Sequence, residues 1–147
     1  MISYNAENVS VPPLRRREVN KWIRRTAAAY GMRVGDLAYV FVDDAKILET
    51  NRQYLGHDYY TDVITFDYTQ GHLISGDIFI SLDTVRSNSE EQHTTYGEEL
   101  LRVIIHGVLH LCGLKDKSPD ERAEMENAEN LALSAFLGDP FTSRRRA

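Results

Sequence analysis

At 147 residues, with 42% hydrophobic side chains and a net charge of −5, the chain can bury one proper core, and a single domain over residues 1–147 is expected. The acidic balance argues against a nonspecific nucleic-acid binder, which draws its affinity from neutralising phosphates. No stretch approaches the roughly 20 apolar residues of a membrane span. The N-terminal Met1 to Glu7 lacks the basic start and apolar centre of a signal peptide, and the single cysteine, Cys112, has no partner for an internal disulfide. A reducing, cytoplasmic setting is the expectation, with Cys112 serving as core packing.

Taken in chain order, a short strand is expected ahead of Pro12-Pro13. Val19, Trp22, Ile23, Thr26 and Tyr30 then recur at helical spacing until Gly31 ends the run. This first helix also carries Arg15, Arg16, Arg17, Lys21, Arg24 and Arg25, and Arg144, Arg145 and Arg146 form a basic tail. Each cluster reads as a solvated face or end, or more sharply as a contact for RNA or the ribosome. Leu37 to Val42 is a compact β-branched and aromatic run, hence a strand, and Asp43 or Asp44 can cap the short helix that reaches Tyr54. Val63 to Tyr68 and Leu73 to Leu82 alternate around a Thr69-Gln70-Gly71 break, which predicts a hairpin with Ile64, Phe66 and Tyr68 on one face. Two further helices follow. One runs from about Gly97 to Cys112 and is apolar almost all round, as a helix buried in a core is. The other opens at Ser118-Pro119-Asp120-Glu121, a cap residue followed by a first-turn proline, with Met125, Ala128, Leu131, Ala132 and Ala135 as its apolar face. The sum is an α+β domain, a small mixed four-stranded sheet packed against helices, with the apolar helix at its centre.

Chemistry concentrates in that central helix, at His106-Gly-Val-Leu-His110-Leu-Cys-Gly113-Leu-Lys-Asp116. Histidines at i and i+4 share one helical face with Cβ atoms roughly 5–6 Å apart, close enough for both imidazoles to bind one ion. Gly113 is the residue type that ends a helix in the left-handed conformation, so it can fold Asp116 back over that face as a third ligand. Three protein ligands leave a tetrahedral zinc one open position, where a bound water can have its pKa lowered to about 7. Imidazoles on so apolar a helix need partners; the alternative to a metal is a carboxylate such as Glu99, two turns earlier. Metzincin peptidases share the spacing, with histidines at positions one, five and eleven and a glycine at eight. They require Glu after the first histidine as general base, and Gly107 has no side chain to move a proton, so ordinary peptidase chemistry is set aside.

Together with a second motif upstream, the segment resembles the YbeY family of bacterial rRNA-maturation endoribonucleases. Of the signature HGxLHLxGxxH the chain carries His106, Gly107, Leu109, His110, Leu111 and Gly113. The upstream stretch Asn51-Arg-Gln-Tyr54-Leu-Gly-His-Asp58-Tyr-Tyr-Thr61-Asp62-Val-Ile-Thr-Phe66 and the later Gly76-Asp77-Ile78 come in the family's order. The resemblance implies a zinc-dependent, single-strand-specific endoribonuclease of rRNA maturation and ribosome quality control. It implies one zinc per chain on His106, His110 and Asp116. It also implies an rRNA precursor as substrate and a ribosomal particle or ribosome-associated protein as partner, with no membrane or DNA involvement. Two positions depart from the family: Asp116 stands where it has a third histidine, and Leu55 where it has an arginine. A carboxylate ligand adds negative charge and weakens the ion as a Lewis acid. If the missing guanidinium holds a phosphate elsewhere in the family, that work falls here to His57 or another basic neighbour. His57 and Asp58 are the candidates for catalysis and substrate contact, while Thr61 and Asp62 are expected to fix the turn before the strand. Leu55 and Asp116 also keep a second reading open, a noncatalytic zinc-binding ribosome-assembly factor, and a small-molecule zinc hydrolase is a third.

Overall fold

The computed structural model describes residues 1–57 and 61–145, with side chains as far as residue 136. Among the described residues, four strands and five helices follow in the order β1 (Ile2–Ala6), α1 (Arg16–Ala29), β2 (Arg33–Val42), α2 (Asp44–Leu55), β3 (Val63–Asp67), β4 (Leu73–Ser81), α3 (Leu82–Glu91), α4 (Tyr96–Leu111) and α5 (Pro119–Arg145). They form one sheet, ordered β1-β2-β4-β3, in which β1, β2 and β4 are parallel and β3 runs antiparallel to β4. The expected hairpin is thus β3–β4 at one edge, and the sheet is mixed and four-stranded within an α+β fold.

Strand alternation decides which residues meet the helices. Leu37, Tyr39 and Phe41 of β2 and Ile74, Ile78 and Ile80 of β4 are fully buried, and α1, α4 and α5 cover them with Trp22, Ile23, Val103, Ile104, Val108 and Met125. Polar tips buried in this core are satisfied. Tyr39 Oη donates to the Ile104 carbonyl at 2.9 Å and Trp22 Nε1 to that of Ala132 at 2.7 Å, tying α4 to the sheet and α1 to α5. A smaller cluster of Val42, Ile47 and Ile64 seats α2.

Local chemistry sets the helix ends. Asp43 caps α2 by accepting the Lys46 N–H at 2.8 Å, and Ser118 with Glu121 forms a reciprocal box at the start of α5. In that box Ser118 Oγ accepts the Glu121 N–H at 3.1 Å while Glu121 Oε1 accepts the Ser118 N–H at 3.0 Å.

Three expectations need correction. Helix α3 was not anticipated, because its sequence is polar and buries only Val85 and Ser89; Ser81 starts it by accepting the Thr84 N–H. The inner face of α5 is Met125, Ala128, Ala132 and Leu133, whereas Leu131 is 73% exposed and Ala135 is exposed. An amphipathic pattern leaves a helix's rotation loose by about one residue, and packing on α4 chooses. Tyr68 falls beyond the end of β3 and is exposed rather than facing the core with Ile64. Cys112 is half-buried, and burial pushes its thiol up to about 11, which agrees with a packing role. Among the described residues no helix is long and apolar enough to cross a membrane.

Candidate active site

Helix α4 presents Glu99, Arg102, His106 and His110 to one cleft, at the three- and four-residue steps that keep side chains on a single helical face. The far walls come from the end of α2 with Asn51 and Leu55, from Thr61 and Asp62 ahead of β3, and from Glu129 on α5. Asp116 and Lys117 close the rim. They return over the helix because Gly113 adopts φ 108°, a value open in practice only to glycine, and the chain reverses there. The turn expected from the sequence is therefore present, and His106, His110 and Asp116 line the same cleft.

His106 is the hub. Its Nδ1 lies 2.7 Å from Glu129 Oε2, and its Nε2 lies 3.4 Å from Asp116 Oδ2. A carboxylate can only accept, so Nδ1 carries a proton and Nε2 faces Asp116. Glu129 is held in turn by Arg102, whose Nη1 donates to Glu129 Oε1 at 2.9 Å and whose Nη2 donates to Asn130 Oδ1 at 2.7 Å. Burial disfavours charge on the His106 ring. The Glu129 hydrogen bond and the charges of Glu129, Asp62 and Asp116 outweigh it and hold the pKa above the usual histidine value.

Among the described residues, four cleft carboxyls, Asp62, Glu99, Asp116 and Glu129, face the two permanent cations Arg102 and Lys117. Asp62 is raised above the usual carboxylate range by burial, against the pull of His106; Glu99 is raised by burial together with neighbouring acids, against Arg102. Surroundings that stabilise a proton on an imidazole this way stabilise a divalent cation for the same electrostatic reason. The donor set fits zinc chemically. Two ligands on a tetrahedral zinc at about 2.0–2.2 Å stand about 3.3–3.5 Å apart, which is the separation of His106 Nε2 and Asp116 Oδ2. Among the described residues no three His, Cys, Asp or Glu side chains converge into a complete ligand group. The pair is drawn together, and His110 lies one turn on in the same wall.

His57 lines the cleft mouth, exposed, with its backbone N–H donating to the Asn51 carbonyl at 3.2 Å. Asp58, the other catalytic candidate, lies outside the described residues, as do Arg146 and the side chains of Arg144 and Arg145. Leu55 is in the wall and 43% exposed, so its side chain lines the cleft. Thr61 behaves as expected, donating from Oγ1 to the Val63 carbonyl at 3.4 Å. Asp62 does more than fix the turn. Its carbonyl accepts the Ser81 N–H at 3.0 Å, while its carboxyl faces the cleft within reach of the His106 charge. The carboxylate bonded to His106 is Glu129, not Glu99. Sequence reasoning missed Glu129 and Arg102, though each left a signal. Glu129 interrupts the stripe of Met125, Ala128, Ala132 and Leu133, and Arg102 interrupts the apolar run from Leu100 to Ile105 one turn before His106.

Comparison with known proteins agrees with this architecture. The protein is 62% identical over 134 residues to the Endoribonuclease YbeY of Phocaeicola vulgatus, covering 91% of this chain and 97% of that one. It is 59% identical over 133 residues to the Endoribonuclease YbeY of Bacteroides thetaiotaomicron, covering 90% and 97%. The solution structure of TM1509 from Thermotoga maritima superposes with a TM-score of 0.67 at 24% identity, covering 100% of this chain and 96% of that one, and so shares the fold. The YbeY family pattern, described as Endoribonuclease YbeY, spans residues 1–137, and this chain belongs to that family.

Proposed function

We propose that this chain is a zinc-dependent endoribonuclease that cuts single-stranded RNA in rRNA maturation and ribosome quality control, with one zinc per chain on His106, His110 and Asp116. The observation that carries the metal reading is the placement of His106 between two carboxylates, with Nε2 turned to Asp116 at 3.4 Å and Nδ1 engaged by Glu129 at 2.7 Å. Bound there, the ion would supply a Lewis acid for the scissile phosphate and a water of lowered pKa. The protein's own part is to hold and orient. Asp62, whose buried carboxyl is raised, is suited to take a proton within the cleft and return it. His57 at the mouth is the candidate substrate contact, and Asp58, outside the described residues, is the other candidate that the sequence offers.

The acidic lining repels a phosphodiester, and the Arg102 guanidinium is committed to Glu129 and Asn130. With Leu55 in place of a cation, Lys117 is, among the described residues lining the cleft, the permanent cation placed to meet the strand. Affinity must therefore come from elsewhere. Arg15, Arg16, Arg17, Lys21, Arg24 and Arg25 are all exposed around α1, a basic surface in an otherwise acidic protein, and they suit backbone phosphates of an rRNA precursor or a ribosomal particle. The whole of residues 1–147 is taken as one domain working in the cytoplasm.

Metal analysis combined with cleavage of single-stranded and duplex RNA tests the proposal. Wild-type protein should hold stoichiometric zinc, His110→Ala should lose it, and Asp116→His should keep or tighten it because one competent ligand replaces another. His106→Ala should abolish cleavage and leave RNA association largely intact. Absence of zinc after reconstitution, or cleavage persisting in metal-stripped His106→Ala protein, would overturn the reading.

A further inference from the structure

We infer that Glu129 is a positioning residue for this site: its carboxylate, braced by Arg102, fixes the tautomer and ring plane of His106 so that Nε2 is presented to the ion. The inference rests on the zinc reading above and goes beyond the ligand set. Glu129 is 8% exposed on the inner face of α5, at a position whose neighbours along the stripe are Met125, Ala128, Ala132 and Leu133. A carboxylate there is costly unless both oxygens are engaged. Both are. Oε1 accepts from Arg102 Nη1 at 2.9 Å, and Oε2 lies 2.7 Å from His106 Nδ1.

Had Glu129 served only to tie α5 to α4, the Arg102 bond would suffice, and Oε2 could turn to any donor. Instead Oε2 meets the ring nitrogen opposite the one that faces Asp116. Imidazole has two neutral tautomers, and only the one protonated at Nδ1 leaves the Nε2 lone pair free to bind an ion. A carboxylate hydrogen-bonded to Nδ1–H selects that tautomer, stops ring rotation and raises the basicity of Nε2. Arg102 adds a second layer. Its fork is fixed at both ends, by Glu129 and by Asn130, so the carboxylate cannot swing away from the ring.

Two readouts test the inference, one of them independent of metal. Zinc affinity is measured by competition with a chromophoric chelator in wild type, Glu129→Gln and Glu129→Ala. Loss of such an outer carboxylate weakens binding by roughly 10- to 100-fold, and both variants should show it: Ala removes the acceptor, and Gln offers one oxygen to two donors, so its NH2 must face either Arg102 or the His106 ring. In metal-free protein, long-range ¹⁵N–¹H spectra at a pH where the ring is neutral should show His106 protonated at Nδ1 in wild type and a mixture of tautomers in Glu129→Ala. If the alanine variant does not fold, the glutamine variant and the wild-type spectrum still decide. Wild type that binds zinc while both variants bind equally well, or a wild-type His106 protonated at Nε2, overturns the role of Glu129. Wild type that takes up no zinc at all instead removes the metal reading beneath it.

Discussion

Substituting Gly107 by alanine probes the contact that sets the depth of the histidine helix. An ideal Cβ at this position falls 2.8 Å from Ile78 Cδ1, 3.1 Å from its Cγ2 and 3.4 Å from its Cγ1. In a free helix the change would stabilise by roughly 0.5–1 kcal/mol, because alanine loses less entropy than glycine. Here it must overpack a core in which Ile78 is fully buried, at a cost of about 1–3 kcal/mol. Cδ1 can swing aside by rotation about χ2. Cγ2 is fixed by the single favoured χ1 of a β-branched residue and cannot. The cost should therefore win, for a net loss of about 1 kcal/mol and a fall in Tm of about 2–4 °C for a chain of this size. Urea unfolding of metal-free protein measures it, with Ile78→Ala, which removes Cγ2 as well as Cδ1, closing a double-mutant cycle. Alone, that truncation should cost about 2–5 kcal/mol. Combined with Gly107→Ala it removes the clash that side-chain rotation cannot relieve, so the double variant should be more stable than the sum by at least ~0.5 kcal/mol. A Gly107→Ala variant more stable than wild type, or strictly additive effects, would refute the reasoning. The same geometry explains why no peptidase-type glutamate could work at position 107: its side chain would be driven into the sheet, away from the cleft.

Leu55→Arg places a cation in the acidic wall and should raise kcat/KM on single-stranded RNA by about 10- to 100-fold if it meets the phosphate in the transition state, the equivalent of a charged hydrogen bond of roughly 1.5–3 kcal/mol; unchanged kinetics would mean the position does not face the reacting strand. Replacing Arg15, Arg16 and Arg17 by alanine should weaken RNA or ribosome association and flatten its salt dependence by about 0.7 in log–log slope for each phosphate no longer neutralised, and an unaltered slope would remove α1 from the binding surface. Glu121 is held below the usual carboxylate value, first by the Ser118 backbone N–H and also by that of Lys117. Its charge therefore contributes stability that is present above the ordinary glutamate pKa of 4.5 and is lost as pH falls through the lower folded value. Thermal unfolding of wild type and Glu121→Gln should differ near neutrality and converge below about pH 4; a gap that widens on acidification would contradict this.

Features governed by neighbours along the chain could be read from the sequence. The four-residue step from His106 to His110, the reversal at Gly113 and the Ser118–Glu121 box depend on helix geometry and backbone preference over a single turn, so spacing alone brings those groups together. The β3–β4 hairpin follows from alternation on either side of a turn for the same reason. What the sequence left open was decided by contacts between elements distant in the chain. The inner face of α5 could have centred on Leu131, and packing against α4 placed Leu133 and Glu129 there instead. Helix α3 buries so little that its own periodicity does not announce it. Glu129, 23 residues from His106, becomes its partner only because α5 docks against α4 in one rotation, and Asp62 joins them only because the β3 edge lies beside that helix. A helix repeats every 3.6 residues and can state which of its side chains share a face; which face meets which neighbour is settled by how all the elements fill one core.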